Sequence, residues 1–196
     1  MALRLVAAAK NAAADAVAAL IAYLSLADGP ASTDELAVTR QGVAWTGADN
    51  GIAPMTGTEA FADVPADSDV AFVQFWSADE DGTYYGCVPA GSVAPVPFTA
   101  EADTDVFTAD EHGLTDTQTV VVFDTLGAVL PTGLTEGTIY FVRDATTDTF
   151  KLAETSGGAA INISADGAGF VQKITVEHFT ATGTYTVSAL ELNFNL

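Results

Sequence analysis

Carboxylates dominate the residues that could do chemistry. Asp79-Glu80-Asp81-Gly82, preceded by Ser77, has the look of half a calcium loop. An EF-hand loop places oxygen ligands at alternate positions and a Glu at its twelfth. Counted from Ser77, that position is Val88, so the stretch reads as a polar hairpin turn. Glu101, Asp103 and Asp105 would share one face of a continuing strand and could gather a hard cation, which makes Ca2+ the only cofactor in view. His112 and His178 lie far apart, Cys87 is the only cysteine, and no spacing suits zinc. Cys87 therefore reads as a small buried hydrophobe, outside any intrachain disulfide. His178 beside Glu177 could pass a proton, but a surface hydrogen bond is the simpler expectation. Trp45, Trp76, Tyr84 and Tyr85 could stack on a sugar; strand alternation favours core packing, with at most one of the two tyrosines facing solvent. No Gly-rich phosphate loop, Ser-His-Asp order or metalloprotease motif occurs. A glycosidase needs a cleft holding two carboxylates at a set separation. Small β-modules offer little room for one.

The charge balance narrows the partners. Of 196 residues, 26 are Asp or Glu and 6 are Lys or Arg, a formal charge of −20. Nucleic-acid binding needs clustered Lys and Arg, and anionic membranes repel such a surface. We therefore expect neither nucleic acid nor membrane as a partner. A mean hydropathy of +0.29 is high for a soluble monomer; either the core is unusually well filled or, the favoured reading, apolar surface is buried between subunits. The N-terminal run superficially suggests a signal peptide, but Lys10 and Asp15 interrupt it. The uncharged stretch from Ala16 to Ala27 is too short to span a bilayer, so no targeting or transmembrane segment is expected.

Residues 2–25 predict a helix, since alanine dominates and favours it. Arg4, Asn11 and Asp15 form a narrow polar stripe. Leu3, Val6, Val17, Leu20, Ile21 and Leu24 occupy the rest and form the candidate oligomer or docking interface. Asp28-Gly29-Pro30 is the expected stop. Strands are expected at 36–45, 59–64, 70–78, 83–90 and 95–100. The 70–78 segment is apolar on both faces, as a central strand would be. Residues 183–196 alternate twice, and the phase slip after Ala189 suggests a bulge. Between them, strands at 105–110, 117–125, 137–144, 147–154 and 167–174 outline a compact all-β module.

Phe-Thr-Ala occurs at 98–100, 107–109 and 179–181. Removing 101–178 leaves VPFTATGTYTVSALELNF, an uninterrupted strand–turn–strand sequence. The triplets thus suggest an insertion junction, because exposed loops accept whole modules. The expected fold is mainly β. An N-terminal helix and an antiparallel β-sandwich-like base would occupy 1–100 plus 179–196. A small β-barrel-like module, 101–178, would be inserted before the final strands.

Three stretches carry a resemblance over the base: MALRLVAAAKNAAADAVAALIAYLSLAD, VTRQGVAWTGADNG and FADVPADSDVAFVQFWSADEDGTYYG. In content and order they resemble a family of small phage structural proteins, often labelled tail fibre proteins in actinobacterial phages. The family's early Ser-Leu-His-Thr stretch appears here only as Ser25-Leu26 followed by Ala27-Asp28. The pieces FTADEHGLTDTQTVVV, LPTGLTEGTIYFVRDATTDTFKLAETSGGAAINI and the trailing GAG are similar to a β-barrel-like module recurrent in phage virion proteins. That module is sometimes compared with a β-domain of ubiquitin-activating enzymes, a comparison that carries over no catalytic residue. These resemblances imply a non-enzymatic virion structural protein exposed on the particle, either a tail fibre or minor tail protein or a capsid decoration protein. Its partners would be other virion proteins and copies of itself, as a homotrimer, in virions assembled in the bacterial host cytoplasm. The base would dock and the acidic module would project as a knob. The alternative is a carbohydrate-binding, host-adhesion module gripping surface glycans; an acidic hydrolase ranks below both.

Overall fold

The computed structural model describes residues 6–91, 93–124 and 128–194. Leu3 lies outside them. The chain is mainly β, with one N-terminal helix, antiparallel sheets and a closed six-stranded barrel. It divides into two units, Met1–Cys87 with His178–Leu196, and Val88–Glu177.

The first unit opens with α1 (Ala7–Ala18), shorter than the sequence predicts. Residues expected to continue the helix form strand β1 (Tyr23–Ala27) instead. Alanine propensity favours helix, but intrinsic propensity yields to tertiary pairing, and β1 is matched along all five residues by a later strand. Ile21 and Leu24, expected on a helix face, are 3% and 0% exposed and belong to this unit's own interior. Of the polar stripe, Arg4 lies outside the described residues, and Asn11 and Asp15 serve as acceptors for loop amides. Asn11 Oδ1 accepts the Gly51 N–H at 2.6 Å, and Asp15 Oδ1 accepts the Ala48 N–H at 2.7 Å. Loop amides need acceptors, and these two side chains supply them. Ala14 and Ala18 pack on Ala53, flanked by Trp45, Leu192 and Phe194. Ala8, Ala12 and Ala16 face solvent, with Val6 and Leu20 also exposed, and Val17 is half-buried.

Strands β2 (Gln41–Gly42), β3 (Ile52–Pro54), β4 (Glu59–Val64), β5 (Ser68–Val70), β6 (Phe72–Trp76) and β7 (Tyr84–Pro89) follow. The main sheet has the order β2-β1-β6-β7. All five residues of β6 are buried, as apolar character on both faces predicts. The strand expected over 36–45 contracts to β2. Its first half is diverted into an irregular segment where Val38 N–H turns back to Leu36 O at 2.7 Å.

The second unit holds β8 (Val96–Glu101), β9 (Val106–Thr108), β10 (Thr119–Phe123), β11 (Ile139–Arg143), β12 (Thr149–Ala153) and β13 (Gly167–Lys173). They close in the order β10-β11-β12-β9-β8-β13, with β13 returning to β10 through Val120↔Lys173 and its neighbours. Phe98, Phe107 and Phe150 fill the interior together with Val120, Val122, Val142, Leu152 and Val171. The Phe107 and Phe150 rings stack at 5.3 Å, and Phe98 meets Phe107 edge-on at 5.3 Å. Gly169 stands opposite Phe98. A Cβ there would come within 2.4 Å of Phe123 O and 3.2 Å of the Phe98 ring, so only glycine lets β13 pass.

This corrects the expected boundary. Strand β8, assigned to the base from sequence, is a barrel strand paired to both β13 and β9. The first two Phe-Thr-Ala triplets are neighbours in one antiparallel hairpin, with Thr99 opposite Thr108. In both, Phe and Ala are buried and Thr is exposed. These two copies record large-in, polar-out, small-in packing; the third, at 179–181, has an exposed Ala181 and follows the chain's return to the first unit at His178.

The chain returns through β14 (Glu177–Phe179), β15 (Gly183–Val187) and β16 (Glu191–Asn193). They pair with β5, β4 and β3 respectively. The phase slip after Ala189 is thus a change of partner, from β4 to β3, and not a bulge within one strand.

The ladders predict different behaviour for two fragments. Val88–Glu177 expressed alone should unfold cooperatively in urea. Residues 101–178 alone lack β8 and the Phe98 and Ala100 side chains, and should show no cooperative transition by circular dichroism. A cooperative transition from the shorter fragment would show that β8 is dispensable to the barrel.

Candidate functional site

The densest set of interacting polar and aromatic groups lies in the first unit, around β1 and β6. Gln74 is 0% exposed at the centre of β6 and Ser25 is 0% exposed opposite it on β1. Ser25 Oγ–H donates to Gln74 Oε1 at 3.2 Å. Trp76 Nε1–H is shared between Ser25 Oγ at 2.9 Å and Gln74 Oε1 at 3.2 Å. Gln74 Nε2 donates to Ala31 O at 2.8 Å. Buried amide and hydroxyl groups cost free energy unless bonded, and among the described residues no buried side-chain N or O lacks a partner.

Arg40 extends this network to the surface. Its guanidinium carbon sits 3.6 Å from the centroid of the Trp76 ring. Nε and Nη2 grip Glu35 Oε1 and Oε2 at 2.7 and 2.8 Å, and Nη1 donates to Ala78 O at 3.0 Å. The hydrogen bond to Glu35 holds the guanidinium above its ordinary pKa; burial opposes this and the charges of Glu35, Asp81 and Asp79 add to it. Tyr84 packs tilted against Trp76 at 5.2 Å and donates its hydroxyl to Pro30 O. Burial pushes that hydroxyl well above its usual pKa, helped by the hydrogen bond with Cys87, the Cys87 charge and that of Asp34. Cys87 is half-buried and its Sγ lies 3.7 Å from the same carbonyl. An open cleft of about 440 Å³ borders the ion pair, lined by residues 35–40 with Asp79 and Glu80. None of these lining residues is a nucleophile activated by a neighbouring base.

The other candidate residues separate. Asp79-Glu80-Asp81-Gly82 closes the β6–β7 hairpin: Thr83 N–H bonds to Ser77 Oγ at 2.8 Å, Glu80 N–H to Asp79 Oδ1 at 3.0 Å, and Asp81 has φ +55°. Glu101, Asp103 and Asp105 do not share a strand face. Strand β8 ends at Glu101, the chain turns, and Asp105 Oδ1 accepts the Ile163 N–H at 2.9 Å. Among the described residues no group of three or more His, Cys, Asp or Glu side chains is placed to hold a metal ion. His178 Nδ1 lies 2.7 Å from Asp69 Oδ1, so its partner sits across the β5–β14 pair rather than at Glu177. His112 is buried in the barrel, accepting the Leu114 N–H on Nδ1 at 2.9 Å with Thr149 O 3.3 Å from Nε2. Trp45 donates to Ile21 O at 2.9 Å and packs on α1. Of the four aromatics proposed for sugar stacking, Tyr85 is the one classed as exposed, at 41%.

Ser25, Gln74, Glu35 and Arg40 escaped the sequence reading as a group. The signal was a lone polar residue within each of two apolar strands, since such residues require partners. No protein-family model, curated protein or solved structure matches the chain.

Replacing Gln74 by Leu removes the acceptor for Ser25 and strands Ala31 O, at an expected cost of about 2–3 kcal/mol. Ser25→Ala should cost about 1 kcal/mol. The double variant should lose less than the sum by about 0.5 kcal/mol or more, because both ends of one bond disappear together. Urea denaturation of the four proteins measures this; strict additivity would mean the two side chains do not act as a unit.

Proposed function

We propose that this chain is a non-enzymatic structural protein of a bacteriophage particle, displayed on the particle surface as a tail fibre or minor tail protein or as a capsid decoration protein. One observation carries the reading. The motifs behind the resemblance to phage tail fibre proteins are separated in sequence but converge in space. Arg40 of VTRQGVAWTGADNG stacks on Trp76 and bonds Ala78 O, both of FADVPADSDVAFVQFWSADEDGTYYG, and Tyr84 of that stretch packs on the same indole. Motifs that share one network have a common physical reason to occur together.

Two further features suit a displayed protein. Both units are strongly acidic, each with thirteen Asp and Glu against three Lys and Arg, a formal −10 apiece. Such charge favours solubility and disfavours adhesion to nucleic acid. The outward face of α1 carries the small residues Ala8, Ala12 and Ala16 beside the exposed Asp15, and small side chains suit close contact with a particle protein or with another copy.

Immunogold microscopy with antibody to the barrel unit tests the proposal on particles from the phage that encodes the chain. Gold over the head would identify a decoration protein, and gold confined to the tail would identify a fibre or minor tail protein. Chain recovered from the lysate but missing from purified particles would overturn the reading. Ala12→Glu should leave the circular dichroism spectrum and urea midpoint of the isolated chain unchanged and should abolish incorporation; normal incorporation would exclude this helix face as the contact.

A further inference from the structure

We propose that Asn50 is a latent deamidation site, and that Asn11 keeps it from reacting. Asp49-Asn50-Gly51-Ile52 is a two-residue hairpin. Asn50 and Gly51 have φ of +50° and +80°, and Asp49 and Ile52 exchange N–H···O bonds of 3.0 Å each way. An Asn-Gly pair is chemically primed for cyclisation, because glycine has no Cβ to shield its backbone nitrogen. Asn50 is exposed, so water reaches it.

The reaction requires the Gly51 nitrogen. It gives its proton to hydroxide and bonds to Asn50 Cγ. Nδ2 takes a proton from water, which restores the hydroxide, the Cγ–Nδ2 bond breaks, and Nδ2 leaves as ammonia. The resulting succinimide takes up one water at either carbonyl and opens to aspartate or isoaspartate. No oxidant or reductant takes part.

That nitrogen is restrained here on every side. Gly51 is buried and donates its N–H to Asn11 Oδ1 at 2.6 Å. Its carbonyl accepts the Phe194 N–H at 2.9 Å, so the residue is held from α1 and from the C-terminal strand region together. Asn50 Nδ2 donates to Asp49 Oδ2 at 3.3 Å, which restrains the amide that would be attacked. Attack needs the Gly51 N–H released from Asn11 and the peptide plane turned toward Cγ. The first requires Asn11 to give up the Gly51 N–H, by a turn of its side chain or by release of α1. Loss of that bond would therefore be recorded irreversibly, as a new carboxylate beside Asp49 or as an extra methylene in the backbone of a two-residue turn.

The test incubates the full-length chain in warm, mildly alkaline buffer and follows the Asn50 peptide by mass spectrometry. Loss of one hydrogen bond's worth of protection predicts that Asn11→Ala deamidates about tenfold faster than wild type. Alanine is the best helix former, so α1 should persist. Asn11→Asp keeps an acceptor oxygen, and Asp15→Ala loosens the other tether while leaving Gly51 bonded; both should stay near the wild-type rate. Equal rates for Asn11→Ala and wild type would overturn the proposal, as would equal acceleration by Asp15→Ala. One comparison needs no variant: Asn50 in the folded chain should react at least about tenfold more slowly than in the free peptide 46–55. Equal rates there would also overturn it.

Discussion

An amide buried at the centre of a strand has to be given partners, and in the first unit Gln74 is that amide. Its side chain is wholly enclosed on β6, between Val73 and Phe75. The Ser25 hydroxyl satisfies part of it, and this fixes the register of β1 against β6 with Ser25 opposite Gln74. A slip of one residue would carry Ser25 to the other face and put a leucine against the amide. With the register set, Trp76 can donate into the same pair of oxygens, and its ring becomes the platform on which Arg40 lies. Arg40 in turn fixes Glu35 and the carbonyl of Ala78. The main sheet is organised outward from one polar contact.

The barrel follows different physics. Its interior is apolar apart from partly polar Tyr140 and nearby His112, and its order comes from filling a closed volume. Three phenylalanines occupy the middle, and glycine at 169 makes room for one of them. Alanines at 100 and 109 sit two residues beyond large rings, so bulk alternates along each strand. Register here is set by volume, where in the first unit it is set by hydrogen bonds.

This contrast explains what the sequence disclosed. The barrel strands were legible within a few residues, because period-two alternation and turn residues mark them directly. The tight β6–β7 hairpin was legible for the same reason. The helix end was not. Residues 19–22 continue an alanine-rich pattern, and pairing with β6, where Ser25 meets a residue 49 positions away, makes 23–27 a strand. The place of β8 was hidden as well, since its alternation is the same whichever sheet receives it. Pairing partners are a non-local property, and a repeated triplet could mark a junction or a hairpin equally well. Of the candidate site, the aromatic members Trp76 and Tyr84 were visible. Their polar partners were not, because nothing local distinguishes Arg40 or Glu35 from other surface charges.

The aspartates have a consequence beyond local geometry. Five of the non-glycine residues with positive φ are Asp63, Asp67, Asp81, Asp105 and Asp144. Aspartate tolerates the left-handed conformation that turns demand, so about a fifth of the 26 acidic residues sit where turning the chain favours them. It is divided evenly between the two units, without a neutral half. An ordered array of such molecules behaves as a polyelectrolyte layer. Its lateral pressure is governed by counterions, and it acts over about 8 Å at physiological ionic strength and about 30 Å in dilute salt. In such an array, ambient salinity would set how closely copies could crowd.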